Sequence, residues 1–363
     1  MASTTPELKE ARVVFSCGSK DYTVRDVIDA AHFRGELEPL WSGLLAGVKA
    51  EEMARETDLE LDDAELDSAA IAFRYQYDLI TAEETEKWLE QRGLSLADFS
   101  DYFARAQWAL EMRGKVKAPQ IPVVSASAEQ RDLLAAELTL SGELDRMANR
   151  LAWRVVAMAK GEQGEKDACR SAQRDLFFKR AGLSAGLVAD WLHGLGREES
   201  WLGEMASMEA NYRDECTRVL TTSQREREMT SLRLPLTRFD VEMIELESRD
   251  AAREAFMCVR DDGMSMSEVA REGQYPFHQT EMVLEQISDD LQQKFLSLTP
   301  GSLLEPTPRE DGFLLTKILD KKEPSLDEPE VLERVDRRIL ERHFTELSSG
   351  RIQWRIVAIL SEE

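Results

Sequence analysis

Residues 295–319 read FLSLTPGSLLEPTPREDGFLLTKIL and decide the fold of the C-terminal part of the chain. The Pro-Gly pair at 300–301 stops an apolar helix and starts a turn. Pro306 and Pro308 exclude helix from the connection that follows, and the Asp-Gly pair at 311–312 opens a β-rich run. The stretch therefore predicts a helix, a turn, an extended connection and a final strand.

The segment before this stretch begins with a strand. RFDVEMIEL, residues 238–246, alternates apolar and charged side chains as a half-buried strand does. Helices are predicted over 248–262 and 266–271, and helix is expected to resume near Thr280. The side chains of the strand that alternate inward are Phe239, Val241 and Met243.

These elements resemble a parvulin-type prolyl isomerase domain over about residues 237–321. The last strand of that family reads Gly-aromatic-His before its apolar residues, and Leu314 stands where the family has one of its two active-site histidines. The strand at 238–246, which carries the other one in the family, has no histidine. The family's glycine-rich segment, which lines the proline pocket, is reduced to residues 272–278. The resemblance implies the isomerase fold without its catalytic groups.

Composition and charge narrow the possible partners. The 363 residues are 42% hydrophobic and 32% charged, as in folded globular proteins. Lys and Arg number 46 against 70 Asp and Glu, which gives a net charge of −24. This charge repels nucleic acid and anionic membranes and favours a basic or neutral peptide, although it could equally serve only solubility. No signal peptide or long apolar run is evident, so a cytoplasmic protein is predicted.

The residues that commonly bind metals or form disulfides are scattered. No C-x-x-C pair, nucleotide-binding loop or hydrolase motif is present. The sequence therefore predicts no cofactor, no metal site and no disulfide framework. The scattered residues are Cys17, Cys169, Cys216, Cys258, His32, His193, His278 and His343.

The N-terminal part repeats itself. Residues 12–115 and 122–225 are interpreted as two copies of one helical unit. The first copy has Gly-Glu-Leu from Gly35 and the second has it from Gly142. Within each copy Trp-Leu is followed by glycine at the same spacing; the tryptophans are Trp88 and Trp191, and the glycines are Gly93 and Gly196.

The first copy carries two consecutive helix-start signals. Thr81 with Glu84 and Ser95 with Asp98 each form the spacing of a capping box. The pattern around them resembles the helical chaperone region of SurA-like and PpiC-like proteins. In those chaperones a C-terminal helix and strand return to the N-terminal region. That resemblance implies the same for 330–347 and 351–359, with inward side chains at Ile352, Trp354 and Ile356.

The predicted fold class is α+β, with a mainly helical SurA-like region and a small degenerate parvulin-like domain. Four segments are expected. They are an N-terminal helical unit with a short strand at 1–117, a second related helical unit at 118–228, the parvulin-like domain at 229–322, and a returning helix and strand at 323–363.

This order of segments resembles peptide-maturation proteins related to PpiC, which are encoded with ribosomally made, post-translationally modified peptides. The resemblance implies a non-catalytic protein that holds a precursor peptide for tailoring enzymes of the same pathway. A general SurA-like holdase for unfolded chains and a residual prolyl isomerase are the alternatives. The predicted peptide-binding residues are Phe239, Val241, Met243, Phe277, Met282, Phe295, Phe313 and Leu314.

Overall fold

The computed structural model of the chain describes residues 9–57, 59–161, 167–182 and 188–355. It confirms the α+β class, because helices dominate and the strands form two small antiparallel sheets. The chain divides into two compact units. The helical unit comprises Met1–Cys216 and Phe344–Glu363, and the parvulin-like unit comprises Thr217–His343.

Ten helices make up most of the helical unit in the described part of the chain. They are α1 (Val24–Arg34), α2 (Glu38–Glu56), α3 (Asp63–Gln76), α4 (Ala82–Gln91), α5 (Leu96–Glu111), α6 (Ala128–Leu140), α7 (Glu143–Lys160), α8 (Asp167–Ala181), α9 (Val188–Gly194) and α10 (Glu199–Val219). The predicted capping boxes at Thr81 and Ser95 are confirmed, each with reciprocal side-chain and backbone hydrogen bonds. These local bonds fix the starts of α4 and α5.

Helices α1–α5 and α6–α10 follow the same order, and their aromatic contacts correspond. Trp88 of α4 meets Phe73 of α3 edge to face, with ring centroids 5.4 Å apart. Trp191 of α9 meets Phe177 of α8 in the same way at 5.1 Å. The two tryptophans therefore make corresponding contacts with a phenylalanine of the preceding helix, although Trp88 is buried and Trp191 only half-buried.

The first helix of each copy packs on the other copy. Phe33 at the end of α1 stacks on Phe177 with centroids 4.9 Å apart. Leu140 at the end of α6 belongs to the cluster of Phe73 and Trp88. The glycines that follow these two helices both have left-handed φ angles, 78° at Gly35 and 76° at Gly142. The two copies therefore share one interleaved core, which neither would bury alone.

Three strands close one side of the helical unit. β1 (Val13–Cys17) lies between β2 (Lys20–Thr23) and β7 (Ile352–Trp354), so the end of the chain pairs with its beginning. Ile352 is buried, but Trp354 is 38% exposed, so the prediction of an inward Trp354 was wrong. Trp354 instead covers the ring of Phe15 at 5.3 Å. Ile356 lies outside the described residues.

The parvulin-like unit contains a four-stranded antiparallel sheet in the order β4-β3-β6-β5. Its elements are α11 (Thr222–Leu232), β3 (Arg238–Leu246), α12 (Arg249–Arg260), α13 (Met266–Gly273), β4 (Phe277–Val283), α14 (Asp289–Ser297), β5 (Thr307–Arg309), β6 (Gly312–Lys322) and α15 (Pro329–Ser349). Helix α15 continues into the helical unit after His343.

The expectation of helix near Thr280 was wrong, because that residue lies in the middle of β4. Thr280 pairs with Val241, and the whole of β4 follows β3 in an unbroken antiparallel register. The sequence FHQTEMV has neither a helical nor a strict two-residue period. Pairing with β3 supplies the backbone hydrogen bonds that the local sequence does not specify.

Helices α11 and α15 are joined by ion pairs. Arg225 donates to both carboxylate oxygens of Asp336, at 2.7 and 2.8 Å. Buried Glu228 accepts from Arg342 at 2.6 Å and lies 3.1 Å from Arg338. Both helices thus belong largely to the parvulin-like unit, whose limits at 217 and 343 differ from the predicted boundaries at 229 and 323.

The sheet of this unit is covered on both faces. On one face, Ile244, Leu246 and Leu315 pack against α12 and α13. On the other, Phe239, Val241 and Ile318 pack against α14 and the loop before β5. We call this second side the cavity face, because the packing there is incomplete.

Candidate peptide-binding site

A cavity of about 390 Å³ opens on the cavity face of the parvulin-like sheet. All four strands contribute to its lining, together with α14 and the turn before it. Apolar side chains form most of its walls: Met243, Met282, Ile287, Leu291, Phe295, Leu304, Pro308 and Leu314. The polar lining side chains are Gln286, Ser288, Thr307, Arg309 and Thr316. This size and lining suit one or two apolar side chains of a ligand with polar groups around them.

The structure places four of the eight predicted binding residues together. Met243, Met282, Phe295 and Leu314 all line this cavity. They come from β3, β4, α14 and β6 respectively. The aliphatic Leu314, at the position of a family histidine, is therefore part of an apolar wall.

The other four predicted residues lie elsewhere, and their assignment is corrected. Phe239 and Val241 are each 0% exposed and belong to the core beneath the cavity. Phe277 and Phe313 pack on the opposite face of the sheet. Successive side chains of a strand point to opposite faces of the sheet. Phe277 and Phe313, each one residue before His278 and Leu314, therefore lie on the face opposite the cavity.

Three charged or titratable side chains lie together at the rim of the site. Arg309 Nη1 lies 3.2 Å from Glu245 Oε1, and His278 Nε2 lies 3.9 Å from the same oxygen. Glu245 pairs with Leu314 across β3 and β6, and His278 pairs with Met243 across β4 and β3. All three side chains are about half exposed at the rim. Only the strand register brings them together, so no local sequence signal could have indicated them.

The two edges of the sheet differ. Strand β5 is three residues long, and its central Pro308 has no N–H to donate. β4 is seven residues long, ends the sheet on the other side and is mostly exposed along its middle. Glu245 N–H donates to the Pro276 carbonyl. In an antiparallel pair only every second residue hydrogen-bonds to the neighbouring strand, so this bond fixes which residues of β4 direct their N–H groups toward β3 and which direct them outward.

That alternation points the backbone N–H groups of Gln279 and Glu281 away from β3. Among the described residues, no backbone hydrogen bond from another element reaches them. β4 is therefore an open edge, available to an added strand.

Within the described ranges no cluster of potential metal ligands is found, and no helix there is long and apolar enough to cross a membrane.

The sheet, its flanking helices and the duplicated helical unit with a returning C-terminal strand define a SurA/PpiC-like, parvulin-type fold. No protein-family model matches the sequence, and no curated protein matches it. Among solved structures, the chain is similar to the peptidylprolyl isomerase PrsA of Bacillus cereus, with 13% identity, a TM-score of 0.35, and coverage of 62% of this chain and 88% of that one.

Two further solved structures are similar, one over most of this chain and one over somewhat more than half of it. The foldase protein PrsA of Streptococcus pneumoniae has 11% identity and a TM-score of 0.26, with 93% of each chain covered. A SurA-like chaperone of Campylobacter jejuni has 8% identity and a TM-score of 0.19, with 59% of this chain and 86% of that one covered.

Proposed function

We propose that the chain is a non-catalytic peptide-binding chaperone whose parvulin-like unit holds an extended peptide. The observation that carries this proposal is an apolar cavity of about 390 Å³ on a sheet whose β4 edge is open. An extended peptide added to β4 would receive main-chain hydrogen bonds that are insensitive to its sequence. One of its apolar side chains would enter the cavity past Met282, which lies both on β4 and in the cavity lining.

The finer proposal is that the peptide is a ribosomally made precursor, held in the cytoplasm for the tailoring enzymes of its pathway. The order of the segments along the sequence supports it, through the resemblance to PpiC-related peptide-maturation proteins. A holdase for unfolded chains in general would use the same edge and the same cavity. The two differ in selectivity. Precursor peptides encoded beside the gene should bind the full-length protein at least about 10-fold more tightly than reduced, carboxymethylated lactalbumin, which is permanently unfolded.

We expect no prolyl isomerase activity from the wild-type chain. The barrier to rotation of a prolyl amide is about 18–20 kcal/mol, and lowering it requires polar groups around the carbonyl. The cavity wall carries Leu314 at the strand position where the resemblance places a family histidine. In a protease-coupled assay on an Xaa-Pro peptide, the rate should equal that of buffer.

Substitution of His278 tests this expectation. His278 pairs with Met243 across β4 and β3, so both residues lie on the cavity face of the sheet. A catalysed rate that disappears in His278→Ala would show that a residual isomerase site exists around this imidazole. The non-catalytic proposal would then be replaced by the isomerase alternative.

Two pairs of variants test peptide binding at the cavity and at the edge. Leu314→Glu places a charge in the apolar wall and should weaken binding by roughly 30-fold or more, whereas Leu314→Met keeps the volume and should change it little. Gln279→Pro removes an outward N–H of β4 and should weaken binding by roughly 10-fold, whereas Gln279→Ala keeps that N–H. Calorimetric titration of the same peptide measures all four dissociation constants.

The alanine and methionine variants control for stability, which circular dichroism melting would follow in parallel. If Leu314→Glu and Leu314→Met bind alike, the cavity is not the site. If Gln279→Pro and Gln279→Ala bind alike, the peptide does not add to β4.

A further inference from the structure

The helical unit contains an unusual concentration of positive charge for so acidic a chain. A cavity of about 300 Å³ lies among the described residues at the junction of α1, α7, α8 and α10. Four arginines and two glutamates line it: Arg34, Arg154, Arg180, Arg213, Glu36 and Glu209. The whole chain has a net charge of −24, so this lining is locally opposite in sign to the protein. We call it the arginine cavity.

Both glutamates of the arginine cavity form ion pairs with arginines. Arg34 donates to the two carboxylate oxygens of Glu36 at 2.9 Å each, and Arg150 approaches Glu36 at 3.3 Å. Arg154 donates to Glu209. The surrounding arginines hold the pKa of Glu36 below its ordinary value although burial acts to raise it. The local potential is therefore positive even with both carboxylates present.

Arg180 forms no ion pair within the described ranges. Its two terminal nitrogens donate to the backbone carbonyls of Phe33 and Arg34, at the end of α1. Among the described residues no carboxylate lies within ion-pair distance of it. The pKa of Arg180 is lowered, chiefly by desolvation; the charges of Glu209 and Glu36 act to raise it, and the charge of Arg213 acts to lower it. An added anion would offset the cost of burying this guanidinium.

A second, larger cavity shares Arg180 with the arginine cavity. It measures about 660 Å³, and Arg180 lines both cavities. Its walls include the aromatic rings of Trp41, Phe177 and Trp191. Nε2 of His32, which also lines it, is buried without a hydrogen-bond partner in the described structure. A ligand that reaches both cavities would thus meet aromatic walls on one side and guanidinium groups on the other.

We propose that the two cavities that share Arg180 form a binding site for an aromatic carboxylate. The carboxylate would lie in the arginine cavity, where planar guanidinium groups bind it well, and the ring would lie among Trp41, Phe177 and Trp191. The carboxylate belongs either to a free aromatic acid or to an acidic residue beside an aromatic one in a peptide. This site lies wholly in the helical unit and does not rest on the function proposed for the parvulin-like unit.

The experiment is calorimetric titration of the full-length protein at low salt with four probes. They are 3-phenylpropionate, its neutral amide, inorganic phosphate, and the blocked dipeptide N-acetyl-phenylalanyl-glutamate amide. We expect saturable binding of 3-phenylpropionate that weakens as salt is added, and binding at least about 10-fold weaker for the amide and for phosphate.

Tighter binding of the dipeptide assigns the carboxylate to a peptide, and tighter binding of the free acid assigns it to a small molecule. Equal binding of acid and amide, or no binding of either acid or dipeptide, overturns the proposal.

Two variants, one that removes a positive charge and one that removes a negative charge, distinguish ligand binding by the arginines from a purely structural role. Arg180→Gln should weaken 3-phenylpropionate binding by roughly 10-fold, because it removes the guanidinium that lines both cavities and forms no ion pair. Glu36→Gln should strengthen binding by several-fold, because it removes a competing carboxylate, although it also breaks an ion pair and lowers the melting temperature. Arg113→Gln, at an exposed position after α5, is the matched control and should change nothing. If Glu36→Gln weakens binding as Arg180→Gln does, the arginines serve only the fold.

Discussion

Replacing Phe177 by alanine will lower the free energy of unfolding of the helical unit by about 3–5 kcal/mol. Phe177 is 1% exposed and is held between the two copies of the repeat. Its ring stacks on Phe33 from α1 at 4.9 Å and meets Trp191 from α9 at 5.1 Å. The substitution therefore removes buried area and enlarges the cavity of about 660 Å³ that Phe177 already lines, at the point where the copies interleave. Urea unfolding followed by circular dichroism gives the change.

Phe73 is the counterpart of Phe177 in the first copy and supplies an internal comparison. It contacts Trp88 at 5.4 Å and Phe99 at 5.2 Å, so Phe73→Ala should cost a similar amount. Tyr75, two residues further along α3, is 73% exposed, and Tyr75→Ala should cost no more than about 0.5 kcal/mol. Losses below about 1 kcal/mol for both phenylalanines would contradict a shared core.

Replacing Gly312 by alanine will destabilise the parvulin-like unit by about 3 kcal/mol or more. Gly312 begins β6 with φ 137°, a conformation that residues with a side chain rarely adopt. A Cβ atom there would lie 2.3 Å from the backbone oxygen of Leu246. Neither atom can move without breaking the β3–β6 pairing, so the clash persists. The expected measurement is a lower urea midpoint for this unit.

Gly263 is the matched control for Gly312. It also has a positive φ, 72°, but a Cβ atom there would meet nothing within 4 Å. Gly263→Ala should therefore cost only about 1 kcal/mol, the strain of the backbone alone. Peptide binding should fall in Gly312→Ala as well, because Arg309 pairs with Gly312 and lines the cavity. Equal destabilisation by the two substitutions would show that the contact with Leu246 has no influence.

Much of the fold was predictable because its signals are local. Capping boxes act over three residues, so Thr81 and Ser95 mark the starts of α4 and α5 whatever the rest of the chain does. The Pro-Gly turn at 300–301 and the alternation at 238–246 likewise indicated the connection before β6 and the strand β3. β4 was missed, because its strand conformation depends on pairing with β3 rather than on its own pattern.

The candidate site was only half predictable for a related reason. The sequence correctly indicated an apolar strand at Leu314. It could not show which of two adjacent residues faces the cavity and which faces the opposite side of the sheet. A shift of one residue separates Leu314, in the cavity, from Phe313, in the opposite core. The rim residues Glu245, His278 and Arg309 come from three strands, and only their register makes them neighbours.

The sequence by itself indicated the capped starts of α4 and α5, the internal repeat, the strands β3 and β6 and the absence of histidine from both strands, because each depends on residue identity or short spacing. The tertiary structure alone decided which edge of the sheet is open, which side chains line the cavity, and how the first helix of each copy packs on the other. It also gathered Arg34, Arg154, Arg180 and Arg213 around one cavity. These features depend on contacts between residues far apart in the chain, and no local pattern encodes such contacts.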